Sequence, residues 1–118
     1  MLEPLLNYSP GRTPVVSLYL NTDMTRRLKE EVLLVLKGFL KDISGEANPE
    51  DVEKIENFFT LEYDWQARGV AVFSNAEKDF WLTYSFPRPF ADEIHTLPEP
   101  YIRPLVHLLS LHERYGIA

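Results

Sequence analysis

Cysteine is absent from this 118-residue chain. Its absence removes disulfides, thiolate nucleophiles and every zinc site built on cysteine. A basic excess is missing as well. The formal charge is −6, the opposite of the footprint carried by the simplest nucleic-acid binders. No apolar run approaches the roughly 20 residues needed to cross a bilayer. The opening segment MLEPLLNYSP has no basic stretch leading into an apolar one, so it does not read as a signal peptide. The expected location is the cytoplasm, with no membrane partner.

Catalytic patterns are equally scarce. There is no Gly-x-Ser-x-Gly elbow. Gly11-Arg12-Thr13-Pro14 precedes an apolar run instead of following one, which does not fit a phosphate-cradling loop. His107 and His112 are five apart and would point about 140° apart on a helix, so they cannot share a metal. His95 lies far away in sequence beside Asp92 and Glu93, and Asp64 beside Trp65 reads as a polar loop residue next to a packed aromatic. With 18 acidic residues some carboxylates must be neighbours, so proximity alone says nothing about acid–base catalysis. These residues predict no enzyme activity, no metal, no cofactor and no small-molecule substrate.

What is present belongs to an ordinary globular domain. Apolar residues make up 45% and charged residues 25%, which with this length predicts one domain spanning 1–118 and one core. The charge is uneven: residues 1–45 sum to +1 and residues 46–118 to −7, so any basic surface belongs to the first third.

Pro14–Leu20 is β-branched and aromatic and predicts a largely buried strand. A helix is predicted over about Thr25–Ile43, because Leu28, Val32, Val35, Leu36, Phe39 and Ile43 recur at helical spacing. Ser44-Gly45-Glu46-Ala47-Asn48-Pro49 reads as a turn, with Gly45 as a left-handed helix stop, Asn48 as N-cap and Pro49 at the first helical position. A second helix then runs to about Thr60, making a helical hairpin. Arg68–Ser74 and Phe80–Phe86 predict two strands joined by a five-residue link. Asp92–Leu97 predicts a short edge strand, and about Tyr101–Arg114 a final helix. The predicted fold class is an α/β (α+β) sandwich: a mixed four-stranded sheet with three helices in the order β-α-α-β-β-β-α.

Two surfaces invite a recognition role. Arg26, Lys37 and Lys41 fall on the helical face opposite the apolar stripe and could track phosphates, joined by Arg12 and Arg27; Glu30 partly neutralises them. Trp81 and Thr83 share the strand face opposite Phe80 and Tyr84 and could stack bases. With three helices available to cover both sheet faces, the favoured reading makes Trp81 core.

Three segments resemble a known family. Val15-Val16-Ser17-Leu18-Tyr19-Leu20-Asn21-Thr22-Asp23, Arg68-Gly69-Val70-Ala71-Val72-Phe73-Ser74, and Pro98-Glu99-Pro100-Tyr101-Ile102-Arg103-Pro104-Leu105 with the ending Glu113-Arg114-Tyr115-Gly116-Ile117-Ala118 look like the first domain of bacterial homologues of archaeal and eukaryotic class-one peptide chain release factors. The resemblance implies a release-factor N-domain-like fold, the first domain of a longer, translation-associated protein, whose next domain would continue from Tyr115–Ala118. In the relatives this domain reads the stop codon, using an Asn-Ile-Lys-Ser motif at the hairpin tip and a Tyr-x-Cys-x-x-x-Phe motif near the sheet. Their Gly-Gly-Gln loop, which releases the peptide, lies in a middle domain. Here the tip is Ser44, Gly45, Glu46, Ala47 and Asn48, without lysine and with an added anion, and the cysteine is missing. Stop-codon reading by the familiar chemistry is therefore not expected. The resemblance implies a non-catalytic domain that contacts the ribosome or its RNA through Arg26, Lys37, Lys41 and the tip. The alternative is a protein-interaction or assembly domain without RNA contact, which the acidic remainder favours.

Overall fold

In a computed structural model, residues 2–115 are described, with side chains through residue 109. The elements are α1 (Glu3–Leu6), β1 (Val15–Asn21), α2 (Lys29–Ile43), α3 (Pro49–Asn57), β2 (Gly69–Asn75), β3 (Phe80–Phe86), β4 (Glu93–Leu97) and α4 (Arg103–Tyr115). A π-helical turn, Phe58–Glu62, extends α3, and a 3-10 turn, Ala76–Lys78, joins β2 to β3.

The strands form one sheet in the order β3-β2-β1-β4, and every pairing is antiparallel. The expected mixed sheet is therefore wrong. Its cause lies in the connections: α2 and α3 make two passes across the sheet, returning the chain at the end where an antiparallel β2 must start. The predicted helix number is also short by one, because α1 precedes β1. At four residues α1 is too brief to show a periodicity.

Central position explains composition. β1 and β2 are buried almost throughout, and their sequences run apolar without alternating. β3 lies at one edge and alternates as an exposed-sided strand does. β4 is the other edge strand, as expected. Gly69 opens β2 where the returning chain passes closest: a Cβ there would overlap the Arg88 carbonyl oxygen and press on the Phe90 ring.

The sheet carries a layer on each face. On one, Val16, Leu18, Leu20, Val70 and Val72 meet Val32, Leu36, Leu40 and Ile43 of α2, with Ile55 and Phe59. On the other, Tyr19, Ala71 and Phe73 meet Leu5 of α1, Phe90 and Leu105 of α4. Among the described residues no helix is long and apolar enough to cross a membrane.

Local chemistry sets the helix ends. Asn48 caps α3, its side-chain oxygen accepting from the Glu50 N–H at 3.0 Å, with Pro49 next, as the sequence predicts. α2 begins later than predicted. Residues 23–27 form a separate turn, in which the Asp23 carbonyl accepts the Arg26 and Arg27 N–H groups. Only then does Glu31 cap the Leu28 N–H at 3.0 Å. Nor does Gly45 stop α2 in a left-handed conformation. Ser44 remains right-handed, and the Ile43 carbonyl accepts from the Glu46 and Ala47 N–H groups. α3 ends at Asn57, short of the predicted Thr60, where the ladder widens into the π turn.

Candidate recognition surface

The outward face of α2 is the side away from Val32, Leu36, Leu40 and Ile43. Lys37 and Lys41 stand on it one turn apart, both exposed, and neither forms an ion pair among the described residues. Leu34, 70% exposed, shares that face with Glu30. Arg26 does not. It belongs to the turn before α2, so the expected three-cation helical face reduces to two lysines. The turn is fixed by Asp23, whose carboxylate accepts the Thr25 hydroxyl at 2.6 Å and the Thr25 N–H at 3.0 Å. These bonds hold the Asp23 carboxyl below the usual carboxylate range.

The tip between α2 and α3 lies against the sheet edge. Ala47 is buried, Asn48 is engaged as the cap, and Glu46 accepts the Thr96 hydroxyl of β4 at 2.5 Å. The Ser44 hydroxyl bonds back to the Lys41 carbonyl at 2.9 Å. Of the five tip residues, Ser44 and Gly45 face solvent with no bond to another element.

Trp81 and Thr83 do share a face of β3, but they do not form an open platform. Trp81 is half-buried, edge-on to Phe58 with ring centroids 5.6 Å apart. The Lys54 ammonium sits 4.7 Å from its ring centroid. Trp81 therefore packs against the core while staying half-buried, not within it as expected, and Thr83 is exposed. Trp65 adds to the same aromatic cluster. Its φ of 61° is unusual for a bulky residue, its buried indole N–H has no partner among the described residues, and Lys29 lies 5.2 Å from its ring centroid.

On the opposite face His95 pairs with Glu93 at 2.7 Å and stacks on Tyr101 with ring centroids 3.9 Å apart. Ser17 lies across the strand pair from His95, but it is fully buried and accepts the Tyr101 N–H at 3.0 Å. The Tyr19 hydroxyl donates to the Tyr101 carbonyl at 2.5 Å, and burial raises its pKa. A buried serine under a stacked tyrosine presents no nucleophile to a substrate; the cluster anchors the entry to α4. Beside it runs an open groove of about 940 Å³ whose apolar lining, Leu97, Pro98, Pro100, Tyr101, Ile102 and Val106, is interrupted by Glu99, Arg103 and His107. Its apolar part suits contact with another apolar surface. Among the described residues no group of three or more metal-ligating side chains converges. The His112 side chain and residues 116–118 lie outside what is described.

Two charged positions were not legible as important. Arg27 Nη1 donates to both Asp92 oxygens, at 3.0 and 2.8 Å, and Asp92 also accepts the Asn21 N–H at 2.8 Å. Asp51 is fully buried in the first turn of α3, accepting the Ser74 hydroxyl at 2.5 Å and the Ala76 N–H at 2.9 Å. Burial raises its pKa against those bonds. Nothing in spacing distinguishes either aspartate from its solvated neighbours.

No protein-family model and no curated protein matches the chain.

Proposed function

We propose that this chain is a non-catalytic recognition domain, the first domain of a release-factor-like, translation-associated cytoplasmic protein, and that it contacts the ribosome or its RNA through Lys37 and Lys41. One observation supports the reading. The segments that resemble the release-factor relatives supply β1, β2 and the lead-in to α4, so they account for the frame and leave the outward face of α2, with its two exposed lysines, outside it. Ser44 and Gly45 prolong that surface, whereas Glu46, Ala47 and Asn48 are occupied within the fold. Stop-codon reading is not part of the proposal.

The test is co-sedimentation of the full-length gene product with bacterial ribosomes between roughly 50 and 300 mM salt, where phosphate contacts weaken steeply. Salt-sensitive pelleting that Lys37→Glu with Lys41→Glu abolishes is the expected result. Pelleting that ignores both salt and the substitutions, or none at the lowest salt, overturns it.

A second reading, protein interaction without RNA, draws on the exposed Leu34 and Leu61 and on a groove of about 230 Å³ lined by Leu33, Leu36, Lys37, Leu40, Glu56 and Thr60, which Lys37 shares with the first reading. Salt-insensitive binding lost on Leu34→Glu would favour it.

A further inference from the structure

The loop before β1 holds an anion. Glu77 Oε1 accepts the Arg12 N–H at 2.7 Å and the Thr13 N–H at 3.0 Å. The Thr13 hydroxyl, whose shorter bond goes to Asn75 Oδ1 at 2.9 Å, lies 3.3 Å from the same oxygen. Consecutive backbone N–H groups aimed at one point form an anion-binding concavity. Gly11 keeps it open, since a Cβ there would stand 2.5 Å from Glu77 Oε1. Arg12 and Lys78 flank the spot, both exposed, and the Lys78 stem approaches the same glycine position at 3.2 Å. The donors and the Arg12 charge hold the Glu77 carboxyl below its ordinary value.

We propose that the Gly11-Arg12-Thr13 loop, although it precedes a strand and so is not the strand-to-helix kind of phosphate loop, is an oxyanion site through its two backbone donors, that exposed Glu77 is its resident occupant, and that a phosphate group is the external ligand that displaces it. A tethered carboxylate satisfies the backbone donors through one oxygen. A phosphate brings several oxygens and can reach the Arg12 side chain while keeping those donors; the Lys78 ammonium donates to the Ser9 carbonyl and lies 5.1 Å from the Tyr8 ring centroid, so it joins the ligand only by leaving those partners. Asp79, close by in the same turn, is a like charge that the ligand must tolerate. The proposal stands independently of ribosome binding, because its first probe is inorganic phosphate.

Tethering gives Glu77 a millimolar or higher effective concentration, so it must compete strongly with a free ligand. In a phosphate titration of the ¹⁵N-labelled chain at constant ionic strength, the Arg12 and Thr13 amide resonances report the site. Glu77→Ala should show a saturable shift of both at roughly tenfold lower phosphate than the unaltered chain, as expected when a tethered competitor is removed. Glu77→Gln should fall between, because its amide oxygen still accepts. A parallel titration with a short single-stranded RNA identifies the source. Response to RNA at lower concentration assigns a phosphodiester, and response to inorganic phosphate alone assigns a free phosphate or monoester. If both variants are folded and neither ligand moves these amides, the loop is an internal clasp and the proposal fails.

Discussion

Asp51 sits in the first turn of a helix, where a carboxylate is electrostatically welcome, yet it is fully buried and its Oδ2 has no partner among the described residues. Desolvation is the dominant cause of its raised pKa. A pKa higher in the folded than in the unfolded state means that the fold retains the proton longer. The resulting stabilisation is present below the unfolded value, near 3.8, and is lost as pH rises through the folded value. Asp51→Asn keeps an acceptor for Ser74 and Ala76 and removes the titration. In urea unfolding series across acid to neutral pH, the unaltered chain should lose stability relative to this variant as pH rises, and the difference should level off above the raised pKa. Identical pH profiles would show that Asp51 does not titrate differently on folding. Sequence could not single out Asp51. It favours the positive helix end like Glu50 beside it, and only the arrival of β2 over the turn buries one of the two. Trp65 is a similar case, since nothing in its neighbours announces a left-handed φ.

Elements were more legible than the joints between them. β3 occupies the predicted residues, and Asn48-Pro49 starts α3 as predicted. In both, the signal is local: alternation in one, capping chemistry in the other. The start of α2 was misplaced because Leu28 continues the apolar spacing, while the long-range bond from Arg27 to Asp92 commits the residues before it to another shape. The same clamp ties the turn before α2 to the chain entering β4, and both side chains are largely shielded, at 17% and 23% exposed. Asp92→Ala removes the acceptor of the Asn21 N–H and leaves the Arg27 guanidinium only the Asn21 carbonyl, at 3.2 Å, and should cost about 1.5–3 kcal/mol, the range for hydrogen bonds to charged groups. A double-mutant cycle with Arg27→Met should return a coupling of about 0.5–3 kcal/mol by denaturant unfolding. Additivity within about 0.3 kcal/mol would reduce the pair to an ordinary surface contact.

At the scale of the molecule, the α/β class and the buried character of β1 were readable, whereas strand direction was not. Hydrophobic pattern reports which faces are covered; it carries no record of which way a neighbouring strand runs. Because β1 and β2 contribute alternate side chains to both layers, the layers should unfold as one unit. Leu36→Ala in one layer and Leu105→Ala in the other remove side chains 2% and 0% exposed. Each should cost about 2–5 kcal/mol and shift a single calorimetric transition downward. Two separable transitions would mean that the layers are independent.

The narrow passage at Gly69 has a consequence for how such a chain can diversify. The chain leaving β3 crosses the start of β2 there, and glycine alone leaves room for the Arg88 carbonyl. Lineages descended from this sequence meet no packing limit of this kind at the exposed residues of α2. At position 69 they inherit no such latitude, unless the whole 87–90 crossing is rebuilt in the same step.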